Sequence, residues 1–141
     1  MKPSKNKKSY QPKISPNVKI AVFVPLSHAN KVRLAIGNAG GGHIGNYSHC
    51  VFVTEGTGYF LPLKGAEPFI GKVKKISKKQ NSKELEQSIE KVKEVKVEFI
   101  CPKSKAPKVI KAIKAVHPYD EVAFDVFPML NWESLQNRTV S

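Results

Sequence analysis

Acidic residues, cysteines and long apolar runs are all scarce in this chain, and each scarcity sets a limit. Eleven aspartates and glutamates stand against 24 lysines and arginines, leaving a formal net charge of +13. An excess of that kind marks solvated basic segments or a contact with nucleic acid or an anionic membrane surface, and charge alone does not choose between them. The two cysteines, Cys50 and Cys101, lack CxxC spacing, which argues against a disulfide framework and for reduced core thiols in a cytoplasmic protein. No apolar stretch approaches the roughly 20 residues of a membrane-spanning helix, so no membrane partner is expected. The segment IAVFVPL followed by Ser27-His28-Ala29 loosely mimics a signal-peptide cleavage site. Its run is short, contains Pro25 and follows an overlong basic region, so a strand is expected there. A Walker loop and a GxGxxG loop are missing too, and AGGGHIG lacks the lysine and hydroxyl residue of a phosphate loop. No serine or cysteine stands beside an evident base, so catalysis is not expected.

What is present fits one domain: 141 residues with 40% hydrophobic content suffice for one core. The segment Gly37 to Gly58 holds seven of the nine glycines, two of the four histidines and one of the two cysteines. Glycine serves where the backbone turns to positive φ or lets another group approach, so this segment is expected to be a built turn and the centre of a site. Residues 1–17, with three prolines and little to anchor a core, predict a disordered basic arm. KVKKISKK at 72–79 begins a second basic stretch, taken as an insertion over 72–93.

Periodicity orders the rest. VKIAVFV at 18–24 alternates as a strand, and Ser27 is placed to cap a helix whose stripe is Val32, Ala35, Ile36 and Ala39. Gly40 to Gly42 should stop it. A strand over 48–55 would put His49 and Cys50 on opposite faces and continue past Gly56-Thr57-Gly58 as a bent or bulged hairpin. Phe69 and Ile70 are expected to fold back onto the core. Asn81 with Glu84 reads as a capping box, opening a short surface helix with Leu85, Ile89 and Val92 on one stripe. VKVEFI at 95–100 is the third strand, and Ser104 opens a helix burying Val109, Ile110, Ile113 and Val116. EVAFDVF at 121–127 is the last strand, and residues 131–141 form a tail in which Trp132 could dock. Strand, helix, strand, strand, helix, strand is the α+β ferredoxin-like βαββαβ sandwich, with two helices on one face of an antiparallel sheet. The other face would carry Ala21, Phe23, Val51 or Phe52, Ile100, Ala123 and Phe127. That apolar row calls for burial against copies of the same chain.

GHIGNYSHC at 42–50, EGTGYFLP at 55–62, PFIG at 68–71 and HPYDEVAFDVFP at 117–128 resemble the insert domain of YqfO-type proteins in the Nif-like (NGG-interacting-factor-like) family. The resemblance covers about Val18 to Leu130. It implies a fold similar to CutA and the PII signalling proteins, a homotrimer with clefts between subunits, and ligand sensing or gating. In full-length members this domain interrupts a larger domain carrying a dinuclear metal site, to which nothing here corresponds. A stand-alone chain without that activity is therefore expected.

Within that expectation the candidate ligand-binding residues are Gly42, His43, Gly45, Asn46, Tyr47, Tyr119 and Glu121, with His117, Tyr119 and the glycine loop lining a pocket for a small anion or nucleotide. His43, His49 and His117 are the candidate ligands of a divalent metal ion, meeting across a subunit boundary, with Asp120 and Glu121 as oxygen donors and Cys50 as a further soft candidate. Beside this stands the structural alternative, in which His43 caps a turn, His49 and His117 satisfy buried hydrogen bonds, and Pro118 and Tyr119 fix a helix-to-strand corner. A second function class is nucleic-acid binding through the basic arm and the lysine-rich loop, since the same element order serves RNA-recognition modules.

Overall fold

The computed structural model describes residues 11–136. Four antiparallel strands, β1 (Ile14–Pro25), β2 (Phe52–Phe60), β3 (Glu90–Pro102) and β4 (Phe124–Leu130), lie in the order β2-β3-β1-β4. Two helices, α1 (Ala29–Asn38) and α3 (Ala106–Val116), pack on one face, and a shorter α2 (Ser82–Ser88) precedes β3. This is the ferredoxin-like α+β sandwich the element order implied.

Alternation in the central strands builds the core. Val18, Ile20, Val22 and Val24 of β1 and Val95, Val97, Phe99 and Cys101 of β3 point under the helices, where Val32 and Ile36 of α1 and Val109 and Ile113 of α3 close over them. Both strand-to-helix junctions use one device: Pro25-Leu26-Ser27-His28-Ala29 and Pro102-Lys103-Ser104-Lys105-Ala106 each end a strand at proline and pass through a 3-10 turn into the helix. The two junctions share the pattern Pro-x-Ser-x-Ala. It also displaces the expected caps, because the N-cap positions are His28 and Lys105, neither with a side-chain capping bond. Ser27 Oγ instead pairs with His28 Nδ1 at 2.8 Å. At the far end of α1, the Gly40 N–H donates to Gly37 O and the Gly41 N–H to Ile36 O, the paired bonds of a glycine-terminated helix.

Several boundaries move. Ile14–Asn17, expected in the arm, begin β1, and Lys13 is held by Ser134 Oγ at 3.0 Å; residues 1–10 and 137–141 of the expected arm and tail lie outside the described residues. Strand β2 starts only at Phe52 and pairs in unbroken register with β3 from Phe52 opposite Glu98 to Phe60 opposite Glu90, so Gly56 and Gly58 introduce no bulge. His49, at φ 60°, precedes the strand. Strand β3 begins at Glu90, which takes the last part of the expected insertion into the sheet and splits the stripe: Leu85 belongs to α2, Val92 to β3. Residue 74 ties the basic loop down, its N–H donating to Pro62 O and its ammonium meeting Glu90 at 3.4 Å.

The capping box of α2 is present, with Asn81 Oδ1 accepting from the Glu84 N–H at 2.9 Å. None of the residues of α2 is buried, so the cap carries much of its order. Asn81→Ala should cost this helix about 1 kcal/mol, read as faster amide exchange at Glu84 and Leu85 with the β3 amides unchanged.

The open sheet face is more polar than the expected row. Phe52 and Phe127 are exposed there and Phe23 and Ile100 half-buried, but Lys19, Lys96, Glu98 and Asp125 share it, Glu98 lying 4.0 Å from Lys19 and 3.9 Å from Lys96. Exposed pairs of this kind contribute up to about 1 kcal/mol each. Val51 packs against the core, and Ala123 precedes β4.

Candidate functional site

Loop Leu61–Ile70 folds over the corner between α3 and β4, and the space between them is a cleft of about 560 Å³. Its walls are Tyr59, Leu61, Pro62, Phe69 and Ala123, and its polar groups are Glu94, Tyr119, Asp120, Glu121 and, on the loop, Lys64. Three of the four motifs singled out in the sequence, EGTGYFLP, PFIG and HPYDE, therefore converge on one place.

His117 anchors the corner. Its buried ring donates from Nε2 to the Phe23 carbonyl at 2.7 Å, and Nδ1 accepts from the Tyr119 N–H at 3.1 Å. Those partners require the neutral tautomer with the proton on Nε2. Burial pushes the imidazole pKa below its ordinary value, the bond to Phe23 opposes that, and neighbouring His28 adds to it. Tyr119 stacks at a tilt 4.8 Å from His117, and Phe69 bridges Tyr119 and His28 with ring centroids 6.3 and 5.5 Å away. Phe69 thus docks on this aromatic rim and not on the core, and it stays half-exposed.

The Tyr119 hydroxyl donates to Glu94 Oε2 at 3.1 Å. Burial raises the phenol pKa and the Glu94 charge and hydrogen bond raise it further, so the phenol stays protonated. Asp120 Oδ2 accepts from the Glu67 N–H at 2.9 Å, which fastens the overlying loop to the corner. Glu94 is the site residue the sequence did not reveal, since alternation in β3 made it a solvent-facing acid. A signal existed in Gly58, because a Cβ there would occupy the position of the Glu94 carboxylate.

The glycine loop lies elsewhere. The Gly42 N–H donates to Ile100 O at 2.8 Å, and Ile100 is six positions beyond Glu94 along β3, about 20 Å at the strand rise. Ile44 and Tyr47 exchange backbone bonds of 2.9 Å around Gly45-Asn46, forming a small exposed hairpin. Of the expected ligand residues, Tyr119 and Glu121 line the cleft; Gly42, His43, Gly45, Asn46 and Tyr47 do not. The three histidines are likewise separate within one chain. His43 is exposed, His49 pairs with Asn38 at 3.0 Å and Ser48 at 2.9 Å, and both nitrogens of His117 are engaged. Among the described residues no three His, Cys, Asp or Glu side chains gather as a metal-ligand set. Cys101 is in the core, where burial pushes its thiol pKa up, whereas Cys50 is half-buried at the loop.

No family model matches the chain. Among curated proteins it is 47% identical over 114 residues to the GTP cyclohydrolase 1 type 2 homolog of Bacillus subtilis, covering 81% of this chain and 27% of that protein. To the homolog from Halalkalibacterium halodurans it is 43% identical over 113 residues, covering 80% of this chain and 27% of that one. A solved structure, the Bacillus cereus protein related to NIF3, matches with a TM-score of 0.64 at 43% identity over 90% of this chain and 29% of its own. This chain is similar to one domain of the longer NIF3-related proteins. It spans 27% of the length of the two curated relatives. The periplasmic divalent cation tolerance protein CutA from Archaeoglobus fulgidus matches with a TM-score of 0.50 at 17% identity, over 80% of this chain and 83% of that one. At that identity the likeness shows the fold alone. Among the described residues, no helix is long and apolar enough to cross a membrane.

Proposed function

We propose that this NIF3-related domain is a non-catalytic binding or regulatory module that assembles as a homotrimer and takes a small ligand at the subunit boundary, in the cleft between loop Leu61–Ile70 and the Tyr119–Glu121 corner. The observation that carries the reading is the convergence of Glu94, Tyr119, Asp120 and Glu121 on one apolar-walled cleft of about 560 Å³, the composition of a small-molecule site. Three carboxylates against the single ammonium of Lys64 disfavour the anion or nucleotide considered from the sequence and suit a cationic or hydrogen-bond-donating ligand. With its O–H donating a hydrogen bond to Glu94, the Tyr119 oxygen keeps lone pairs to accept from such a ligand. A divalent metal ion would need ligands from a neighbouring subunit, and His43 on its exposed hairpin is available to supply one. Self-association is supported by the exposed Phe52 and Phe127 on the open sheet face and by the trimer the CutA resemblance implies.

Light scattering on protein freed of nucleic acid should give three times the 15.7 kDa chain mass at both low and high salt. A monomer would remove the subunit boundary from the proposal. A panel of divalent cations and small amines should then yield at least one thermal-melting shift. Tyr119→Phe combined with Glu94→Gln should weaken that ligand roughly tenfold or more, the loss of about one charge-assisted bond, while His43→Ala leaves a small-amine shift intact. A shift lost in His43→Ala and kept in the cleft variant would relocate the site to the glycine loop.

A further inference from the structure

We propose that the helical layer of this domain binds the phosphate backbone of a nucleic acid. All eleven acids lie outside two stretches, Leu26–Thr54 and Phe99–Tyr119, which together make α1, α3, their 3-10 turns and the glycine loop. Within those stretches stand seven cations, Lys31, Arg33, Lys103, Lys105, Lys108, Lys111 and Lys114. The helical face is therefore of one sign, while the acids lie on the sheet, on α2, around the cleft and its overlying loop and, in Glu133, in the 3-10 turn Trp132–Leu135.

All of the lysines among these seven are exposed, and none of the seven forms an ion pair among the described residues, whose ion pairs join Lys19, Lys74 and Lys96 to Glu90 and Glu98. Three have structural employment: Arg33 donates to Asn30 Oδ1 at 3.5 Å, the Lys105 stem crosses Gly40 at the end of α1, and the Lys114 ammonium lies 5.5 Å from the centre of the Phe124 ring. Folding gives no comparable reason for Lys103, Lys108 and Lys111. Lys108, Lys111 and Lys114 repeat at three-residue spacing on the exposed side of α3, where like charges repel. Lys103 and Lys105 stand at the N-terminal end of that helix, where the helix dipole disfavours cations. A merely solvated helix would have acids mixed into this row. A polyanion laid along it relieves both penalties at once.

The row has the reach for such a partner. From Lys105 to Lys114 the helix rises about 14 Å, which spans two to three phosphates of one strand. Lysine ammonium groups are point charges that position a backbone without reading bases, so the expected binding is insensitive to sequence and steep in salt. If copies of the chain cover the open sheet face, this layer stays outward. The surface is separate from the cleft, and its variants leave Tyr119 and Glu94 untouched.

The test uses the full chain, cleared of copurified nucleic acid and titrated into a fluorescein-labelled duplex DNA of about 20 base pairs across a range of KCl. With about five phosphates neutralised, the log-log salt slope should lie near −4.5. A triple variant, Lys108→Gln with Lys111→Gln and Lys114→Gln, should flatten the slope by about 2.7 and bind at least tenfold more weakly at low salt, with an unchanged circular dichroism spectrum. Replacing Lys2, Lys5, Lys7 and Lys8 by glutamine should leave most of the binding in place. An RNA duplex of equal length, run in parallel, identifies the preferred backbone, and binding to either supports the proposal. Absence of binding at low salt, equal affinity of the triple variant and the parent, or binding to anionic phosphatidylserine vesicles but to neither duplex would overturn it.

Discussion

Gly42→Ala is expected to lower stability by about 3 kcal/mol or more, the larger of two substitution effects this structure implies. Gly42 has φ 73°, in the left-handed region where an L side chain costs about 1 to 2 kcal/mol. The space is also taken, since a Cβ at this position would meet the Cys50 carbonyl oxygen. Relief by a backbone shift is blocked on both sides: the Gly42 N–H donates to Ile100 O at 2.8 Å, and its carbonyl accepts from the Cys50 N–H at 2.9 Å. Moving the chain would detach the loop from the end of β3. Gly45→Ala is the internal control, because Gly45 has φ 55° with nothing within 4 Å of an added Cβ. It should pay only the conformational cost of about 1 to 2 kcal/mol. Urea unfolding of both variants decides the point. Equal losses would mean that the close approach of Gly42 to Cys50 does not govern the loop.

That contrast also corrects the meaning of the glycine-rich segment. Its density of glycine was legible as a built turn, and it is one: the group that approaches Gly42 is the chain's own Cys50 backbone. Strand and helix order were legible because burial leaves a period in Val18, Ile20, Val22 and Val24 and another in Val109 and Ile113. The start of β2 was misplaced because SHCVFV has strand composition on both sides of His49, and only the left-handed turn at that residue sets the boundary. Tyr119 and Glu121 were found through HPYDE. Glu94 was not, because nothing local in VKEVKV distinguishes an acid that receives a phenol hydrogen bond from one that faces water. The cleft depends on the loop after β2 closing over a corner about 50 residues later in the chain, through Asp120 and the Glu67 N–H. Long-range closure of that kind leaves no period to read.

His117→Ala should cost about 2 to 4 kcal/mol near neutral pH, and the cost should shrink in acid. The truncation removes two hydrogen bonds and strands the Phe23 carbonyl beside the Tyr119 N–H, each unpaired group carrying about 1 to 3 kcal/mol where water is excluded. The pH term follows from the direction of the shift. In the folded chain the His117 pKa is lowered, first by burial, whereas in the unfolded chain it returns to about 6.5. Below that value the unfolded state binds the proton more readily, so stability rises with pH and is lost as pH falls through the unfolded pKa. The neutral form suits the site because Nδ1 must accept from Tyr119 while Nε2 donates to Phe23, and a protonated ring has no acceptor to offer. Denaturation of parent and variant at about pH 7.5 and pH 5.5 isolates this residue, since the other titrating groups cancel in the difference to first order. A gap that narrows in acid supports the neutral tautomer as the pin between β1 and the Tyr119 corner. A gap of constant size would mean that the ring acts by packing alone, and the cleft would then owe its shape to the Tyr119 bond with Glu94 and the Asp120 clasp.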